Sequence, residues 1–186
     1  MPAAKVTDTQ LLDRLADVFR RYGYEGASLS RIAEATGLQR ASLYHRYPGG
    51  KEDMAQAVMG QVDERFGGYV LASLFEQGDP MDRAKQLAKR LSEAYDGGSK
   101  SCLLDALSRN DAPDGLRDHV DATFRVWLDG MTRLARDAGA TPAQARRRAE
   151  DAMVAVQGGL VVARASGDPK PFARALRELP GLLAGG

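Results

Sequence analysis

The chain has few of the residues that form covalent cross-links, metal sites or catalytic centres. It contains one cysteine, Cys102, and two histidines, His45 and His119, among 186 residues. A single thiol excludes an intramolecular disulfide and a zinc site with several cysteine ligands. An oxidant-sensing role for Cys102 stays open, but its apolar neighbours favour a buried thiol that behaves as a small hydrophobe. We predict no metal and no cofactor.

Long apolar runs are also absent. The first ten residues contain no stretch with the length and hydrophobicity of a signal peptide. The longest weakly polar stretch, 152–163, is interrupted by Gln157, Gly158 and Gly159 and is too short to span a bilayer. Hydrophobic residues make up 44% and charged residues 27% of the chain, which is typical of a folded soluble protein. We therefore expect a cytoplasmic protein without a membrane partner.

No segment alternates β-branched and polar residues as a strand does, so the sequence predicts an all-α fold. Apolar residues instead recur at three- and four-residue steps, for example at Leu12, Leu15 and Phe19. Glycine, proline and capping residues divide this pattern into about nine helices. The expected helices lie at 8–22, between Ser28 and Gly37, and at 40–47, 51–75, 81–95, 101–108, 116–138, 141–165 and 171–183.

The segment 28–51 predicts two short helices that cross around a tight turn. Ile32 and Leu43 supply apolar contacts, and Ala33 leaves room for the crossing. Gly37 supplies the turn, because a chain that leaves a helix this sharply commonly needs a positive φ, which glycine adopts without strain. Such a helix-turn-helix presents its second helix to a DNA groove.

Charge supports the same interpretation. The segment carries four cations and one anion, whereas the whole chain has a formal net charge of only +1. A locally basic surface on a near-neutral chain is typical of a phosphate-binding face. The alternative is a helical hairpin that packs against another element and binds no nucleic acid.

Motifs in the first third of the chain resemble the DNA-binding domain of the TetR family of bacterial transcriptional regulators. The matching stretches are GYEGASLSRIAEATGL, which begins at Gly23, and SLYHRYPGGKEDM, which ends at Met54. Two positions depart from the family pattern. Tyr47 stands where phenylalanine is commoner, and Gln39 stands where a small capping hydroxyl residue is frequent. The second departure leaves the Gln39 side chain free for a base contact.

The resemblance implies an architecture and two partners. It implies a helix-turn-helix DNA-binding domain at 1–50 and a larger helical domain, for ligand binding and dimerisation, at 51–186. A homodimer would bind a palindromic double-stranded DNA operator, and a small-molecule inducer would release it. Dimerisation is physically reasonable, since two recognition helices one turn of DNA apart, about 34–36 Å, gain affinity and register over one.

The recognition helix supplies the main predicted DNA contacts. Gln39 and Arg40, at its start, are predicted to read bases, because arginine suits guanine and glutamine suits adenine through paired hydrogen bonds. The candidates for phosphate contacts are Ser28, Ser42, Tyr44, His45 and Lys51, and Lys51 is helped by the positive end of the helix that it begins. The full predicted set is Ser28, Arg31, Gln39, Arg40, Ser42, Tyr44, His45 and Lys51. For each, the alternative is a solvated surface residue.

The C-terminal two-thirds carries weaker signals, because a ligand pocket has no fixed residue spacing. Aromatic, sulfur-containing and amide side chains are the predicted ligand contacts, and they suit an apolar or aromatic molecule. They are Phe66, Tyr69, Tyr95, Cys102, Phe124, Trp127, Met131, Met153 and Gln157. For each, the alternative is a place in the hydrophobic core.

The last two helices are predicted to form the dimer interface. Small residues at 141–165 permit close helix approach, and apolar residues of the final helix complete a four-helix contact. The predicted interface residues are Ala149, Ala152, Val156, Leu160, Phe172, Leu176 and Leu179. The cation run at 146–148 precedes Glu150 and Asp151, so we interpret it as a solvated helix face with intrahelical ion pairs.

Other functions fit fewer features of the sequence. No metal spacing, phosphate loop or nucleophile elbow is present, and His119 lies in an Arg-Asp-His run expected at the surface, so we predict that the chain is not an enzyme. A helical protein-interaction module, or a regulator without a small-molecule inducer, remains the alternative. The favoured mechanism is a ligand-free dimer that represses transcription. A continuous helix at 51–75 would join its DNA-binding unit to the ligand pocket.

Overall fold

The computed structural model describes residues 6–108 and 112–185, and in them the chain forms nine α-helices and no β-strand. The all-α prediction is confirmed. The helices are α1 (Asp8–Gly26), α2 (Leu29–Thr36), α3 (Arg40–Arg46), α4 (Lys51–Val62), α5 (Pro80–Ala94), α6 (Leu103–Leu107), α7 (Asp114–Asp137), α8 (Pro142–Ser166) and α9 (Lys170–Ala184). No helix in this part of the chain is long and apolar enough to cross a bilayer. The break predicted at Asn110 and Asp111 lies outside the described residues.

Local sequence signals explain where the main helices begin. α1 and α8 each start with a capping box, in which Thr7 or Thr141 exchanges hydrogen bonds with a glutamine three residues later. Asp79 caps α5 by accepting the backbone N–H of Asp82 at 3.1 Å. α1 is interrupted at Gly23, whose backbone is not helical, so the predicted helix end at residue 22 lies next to the observed break.

The chain packs as two compact units. The first contains the described residues of 6–62 and 103–121, and the second contains those of 63–102 and 122–185. In the first unit α1 packs against α2, α4 and α6. The predicted boundary between residues 50 and 51 differs from this division, because α4 and α6 join the core of the N-terminal helices.

Residues 51–74 are helical without a break, close to the predicted bounds of 51–75, but they do not form one regular α-helix. α4 ends at Val62, a π-helical segment follows at Asp63–Val70, and a 3₁₀ segment occupies Leu71–Leu74. Gly67 and Gly68 lie in the π-helical segment, where each lowers the preference for α-helix by about 1 kcal/mol relative to alanine. The chain therefore changes helical form where the second unit begins.

A buried arginine satisfies the backbone carbonyls where this irregular stretch ends. Arg83 of α5, which is 7% exposed, donates to the carbonyls of Ser73 and Leu74. Its Nη1 also pairs with the Asp137 carboxylate at 2.7 Å. These bonds replace the helical hydrogen bonds that the last carbonyls of the segment lack.

α8 and α9 pack closely against each other within the second unit. Gly159 permits this approach, because a Cβ there would lie 3.1 Å from the Ala175 Cβ and 3.2 Å from the Phe172 Cα. The side chains predicted for the dimer interface are all buried within this one chain, at 7% exposure or less: Ala149, Ala152, Val156, Leu160, Phe172, Leu176 and Leu179. The predicted interface is therefore corrected. These residues do form a close-packed face, but the two helices that share it belong to the same chain.

Gly159→Ala should destabilise the chain, whereas Gly181→Ala should not. The methyl group at 159 would enter a tight contact, and overpacking of this kind costs about 1–3 kcal/mol. Nothing lies within 4 Å of a Cβ at Gly181, so alanine there should add up to about 1 kcal/mol through its higher helix propensity. Urea unfolding followed by circular dichroism measures both free energies of unfolding. Equal values for the two variants would contradict the α8–α9 contact.

Candidate nucleic-acid interface and ligand cluster

The turn between α2 and α3 is fixed by hydrogen bonds to one buried residue. Thr36, fully buried at the end of α2, donates its hydroxyl to the Ile32 carbonyl (2.7 Å) and accepts the Leu38 N–H (3.3 Å). Its carbonyl accepts the Arg14 guanidinium at 2.7 Å, which ties the turn to α1. Gly37 follows with a φ of 70°, the left-handed conformation predicted for it. The turn therefore fixes the direction in which α3 begins.

α3 has one buried side and one exposed side. Leu43 is fully buried, so it anchors the helix in the first unit. The polar side chains of the other side form what we call the α3 surface, and all are exposed: Gln39, Arg40, Ser42, Tyr44 and His45. Gln39 occupies the N-cap position without a side-chain cap hydrogen bond, as its departure from the family pattern predicts. Donors and acceptors of this kind are the groups that contact base edges and phosphates.

Two arginines of α3 contact neighbouring helices. The Arg40 Nη2 donates to the Ser30 Oγ at 2.7 Å, which connects α3 to α2. The Arg46 Nη1 pairs with the Asp8 carboxylate at 2.6 Å, which connects α3 to the start of α1. Exposed pairs contribute little stability, so their main effect is to orient the two guanidinium groups.

Three of the predicted DNA contacts have partners within the first unit. Ser28 is the N-cap of α2 and accepts the Arg31 N–H at 3.4 Å. The Arg31 guanidinium donates to the Gly26 carbonyl at 2.6 Å. The Lys51 ammonium lies 3.5 Å from the Glu25 carboxylate and 4.3 Å from the centre of the Tyr24 ring. A DNA phosphate would have to compete with these partners, and the three contacts stay predictions.

Tyr24 is a suitable platform for the Lys51 ammonium because its hydroxyl stays neutral. Burial, followed by the nearby carboxylates of Glu52 and Glu25, raises the pKa of the Tyr24 hydroxyl above its ordinary value. A neutral ring attracts a cation over its face without the charge of a phenolate. Lys51 is therefore held at the start of α4 by one ring and one carboxylate.

The turn from α3 to α4 depends on two glycines. The Asp53 carboxylate accepts the Gly49 N–H at 2.6 Å, and a Cβ at Gly49 would overlap this carboxylate. Gly50 has a φ of 71°, and its Cβ position lies 3.4 Å from the Tyr44 ring. Larger residues here would move either the start of α4 or the Tyr44 side chain.

Five aromatic rings of the second unit form a connected group, which we call the aromatic cluster. Phe66 makes edge contacts with Tyr95 and Trp127, at centroid distances of 6.1 and 5.2 Å. Phe124 stacks on Trp127 at 6.2 Å, and Phe172 meets Tyr95 edge-on at 5.9 Å. Four of these rings belong to the predicted ligand set, and Phe172 is the fifth. Offset and edge contacts of this kind are the favourable arrangements for aromatic pairs.

Cys102 and Gln157 adjoin the aromatic cluster. The Cys102 thiol is 4% exposed, in agreement with the prediction of a buried small hydrophobe. Its Sγ lies 3.6 Å from the Tyr95 Oη and 3.6 Å from the Gln157 Nε2. The structure thus brings six of the predicted ligand residues together: Phe66, Tyr95, Cys102, Phe124, Trp127 and Gln157.

The other three predicted ligand residues differ from one another in position. Tyr69 is 50% exposed, its hydroxyl donates to Glu93 at 2.6 Å, and the Arg90 guanidinium covers its ring. The hydrogen bond to Glu93 raises the pKa of the Tyr69 hydroxyl. Tyr69 therefore belongs to a surface ion group, and its prediction as a ligand contact is corrected. Met131 is fully buried and Met153 is half-buried.

The surface position predicted for His119 is also corrected. His119 is half-buried in the first unit, and its Nδ1 lies 3.1 Å from the Gln56 Oε1.

The cation run at 146–148 is predicted from the sequence to form intrahelical ion pairs, and the structure contains such a pair. Arg146 pairs within α8 with Glu150 at 2.7 Å, as the spacing of four residues indicates.

Trp127 has a feature that sequence reasoning missed. Its side chain is fully buried, and its indole Nε1–H has no hydrogen-bond partner. The helical spacing of apolar residues predicts that Trp127 lies inside, but no spacing reveals whether its one donor finds an acceptor. A buried donor left unpaired costs about 1–3 kcal/mol.

Two family models match the chain. Residues 11–58 match bacterial regulatory proteins of the tetR family, and residues 99–178 match the C-terminal domain of LmrA/YxaF-like transcriptional regulators. The chain belongs to the TetR family. This confirms the resemblance inferred from the motifs around α2 and α3. TetR-family proteins are transcriptional regulators rather than enzymes, so that prediction is confirmed as well.

Individual TetR-family proteins match over nearly the whole chain. The transcriptional regulator LmrA of Bacillus subtilis is 22% identical over 180 residues, which cover 94% of this chain and 95% of LmrA. A TetR regulator from Legionella pneumophila has a similar crystal structure, with a TM-score of 0.83, 19% identity and coverage of 98% and 100% of the two chains. A cysteine-substituted form of the TetR-family regulator CifR, solved with 26-base-pair operator DNA, has a TM-score of 0.71, 26% identity and coverage of 97% and 100%.

Thr36→Val should loosen this TetR-family helix-turn-helix more than a matched change elsewhere. Valine keeps the shape but leaves the Leu38 N–H without its acceptor, at a cost of about 1–3 kcal/mol. Thr132→Val is the control, because the Thr132 hydroxyl bonds only to a carbonyl within α7. Urea unfolding should give a lower free energy for Thr36→Val than for Thr132→Val. A larger loss in the control would contradict the role of Thr36.

Proposed function

We propose that the chain is a homodimeric transcriptional repressor that acts on DNA in the cytoplasm. The dimer binds a palindromic operator through two copies of α3 and leaves it when a small apolar or aromatic molecule enters the second unit. The observation that carries this proposal is the α3 surface. Its polar side chains project from a short helix whose direction is fixed by the buried Thr36 turn.

The α3 surface has the chemistry needed for specific binding. Arg40 can form two parallel hydrogen bonds to guanine, and Gln39 can do the same with adenine. Ser42, Tyr44 and His45 supply the donors that phosphate contacts need. One helix of this length reads few base pairs, so a second copy one turn of DNA away is needed for affinity and register.

The exposed side of α8 is the best-supported surface for the second copy. Val154, Val161 and Val162 are 70%, 59% and 51% exposed, and Gly158 lies between them on the helix. Val154 and Val161 are seven residues apart and therefore lie on one face of the helix, Val162 adjoins them, and such exposed apolar stripes mark protein interaction surfaces. In a twofold dimer the same stripe meets its own copy, which requires no other surface of the chain. This stripe replaces the interface predicted from the sequence.

The change of helical form after α4 supports a route from ligand to DNA. Phe66 belongs both to the π-helical segment and to the aromatic cluster. The segment continues directly from α4, which begins at the glycine turn that follows α3. A ligand that displaces Phe66 would alter the segment and thereby the position of α4. It acts as an inducer if it binds this altered state more tightly than the operator-bound state.

Arg40→Ala and Tyr44→Phe should both weaken operator binding. Arg40→Ala removes a bidentate base contact, so it should reduce operator affinity about tenfold or more and relax the preference at one base position. Tyr44→Phe removes a single hydroxyl contact, so it should reduce operator affinity about threefold. The operator is first selected from random duplexes with the purified full chain, and affinity is then measured by fluorescence anisotropy at several salt concentrations.

Arg133→Ala is the matched control for these variants, because Arg133 is an exposed arginine of α7 in the second unit. Its affinity and its salt dependence should equal those of the original chain. The assignment of the α3 surface would be wrong if Arg40→Ala and Tyr44→Phe left affinity unchanged. A chain that selects no duplex would instead favour a protein-interaction module.

Val154→Glu should dissociate the dimer, whereas Val126→Glu should not. Two copies of the new carboxylate would meet in one apolar stripe, and like charges brought together in this way cost several kcal/mol, or about a hundredfold in dimer affinity. Val126 is a matched control, because it is 51% exposed on α7. Sedimentation velocity over a range of concentrations measures both dissociation constants. Dimerisation unaffected by Val154→Glu would exclude the α8 stripe.

A further inference from the structure

The unpaired indole of Trp127 identifies a point where a ligand can be recognised. Trp127 is fully buried, and its Nε1 has no hydrogen-bond partner although it is shielded from solvent. An indole N–H can only donate a hydrogen bond, so the group that satisfies it must be an acceptor. Most buried polar groups in folded proteins are satisfied, and the exceptions require a physical explanation.

The neighbours of Trp127 restrict which acceptor can enter. Phe124 stacks on the indole and Phe66 contacts its edge, so two hydrocarbon rings flank it. The groups that continue the cluster are Tyr95, Cys102 and Gln157, none of which carries a cationic side chain. A carboxylate would lose its hydration here without gaining an ion pair from these residues, and such a transfer is strongly unfavourable. A neutral acceptor avoids this cost.

We propose that the inducer of the second unit is a neutral aromatic molecule whose oxygen or ring nitrogen accepts a hydrogen bond from the Trp127 Nε1–H. This rests on the proposed function, since it assigns the chemical class of the inducer. The aromatic part of the ligand packs against the rings of the cluster through offset or edge contacts. The single acceptor fixes its orientation, because a ligand bound the other way round leaves the indole unpaired.

Phe66 is the ring that moves to admit the ligand. Trp127 has no exposed surface, so a ligand reaches it only after a flanking side chain is displaced. Phe66 lies in the π-helical segment next to Gly67 and Gly68, and no atom lies within 4 Å of a Cβ at either glycine. A shift of the backbone at these two glycines therefore meets no side chain of a neighbouring element. Phe124 lies in α7, which is a regular α-helix and has no comparable change of helical form beside this ring.

Three probes of similar size test the proposed class. Acetophenone carries a neutral acceptor, α-methylstyrene replaces that oxygen with a CH₂ group of the same shape, and benzoate carries a charged acceptor. Trp127 is the only tryptophan of the chain, so the ¹⁵N–¹H spectrum of the full chain contains one indole signal. Titration should move this signal downfield with acetophenone. Acetophenone should bind about tenfold more tightly than α-methylstyrene and at least about tenfold more tightly than benzoate.

Trp127→Phe removes the donor and keeps an aromatic ring. In this variant acetophenone should lose its advantage over α-methylstyrene, because only the hydrogen bond to the indole favours the ketone. Tyr69→Phe is the control, since Tyr69 lies outside the aromatic cluster and the preference should persist. Backbone amide signals report probe binding in Trp127→Phe, and circular dichroism checks its folding. If the variant does not fold, the comparison of the three probes on the original chain still tests the proposed chemical class of the inducer.

The proposal is overturned if α-methylstyrene or benzoate binds the original chain as tightly as acetophenone. It is also overturned if none of the three binds at millimolar concentration, or if the preference for acetophenone survives in Trp127→Phe. These measurements contain no DNA, so they are independent of operator binding. A chain that prefers acetophenone through Trp127 but selects no duplex would retain this binding site and refute the proposed repressor.

Discussion

The direction of α3 relative to the rest of the first unit is the constraint on which recognition depends. It is set by one buried hydroxyl, one glycine and one arginine: Thr36, Gly37 and Arg14. The hydroxyl connects Ile32 of α2 with Leu38 of the turn, and the guanidinium joins the end of α2 to α1. Leu43 then fixes the rotation of α3 about its own axis by occupying the core. A displacement of about 1 Å at this turn would misalign the hydrogen bonds that, under the proposed function, the α3 surface makes to bases.

The second unit combines a closely packed part with a locally irregular one. α8 and α9 approach closely at Gly159, and α5 packs against α9, so these three helices form a dense framework. The irregular part is the stretch 63–74, which changes from π-helix to 3₁₀-helix and ends on the carbonyls satisfied by Arg83. Irregular helical turns are frequent at functional sites, because they sacrifice helical regularity to place particular side chains. Here the side chain so placed is Phe66.

Much of the first unit could be predicted from the sequence because its signals are local. Gly37 and Leu43 act close to their own positions, and the structure places the first in the left-handed turn and the second in the core, as the sequence predicts. The errors arise where the outcome depends on distant partners. Periodicity identified the small-residue face of α8 correctly but could not indicate that α9 covers it. The same periodicity favoured one helix at 51–75, since a pattern of apolar residues does not distinguish α- from π-helical spacing over two turns.

The irregular stretch also has a stability suited to its proposed role. A ligand changes operator affinity by 5- to 150-fold when its binding free energy differs by about 1–3 kcal/mol between two states of the protein. Gly67 and Gly68 together reduce the preference for α-helix by about 2 kcal/mol, which is the same range. A regular α-helix without these two glycines would lack this weakness, so a change of its backbone would cost more. An unstructured stretch would yield to the ligand but transmit no movement to α4. Under the proposed function, the π-helical segment would respond to a bound molecule and still remain helical.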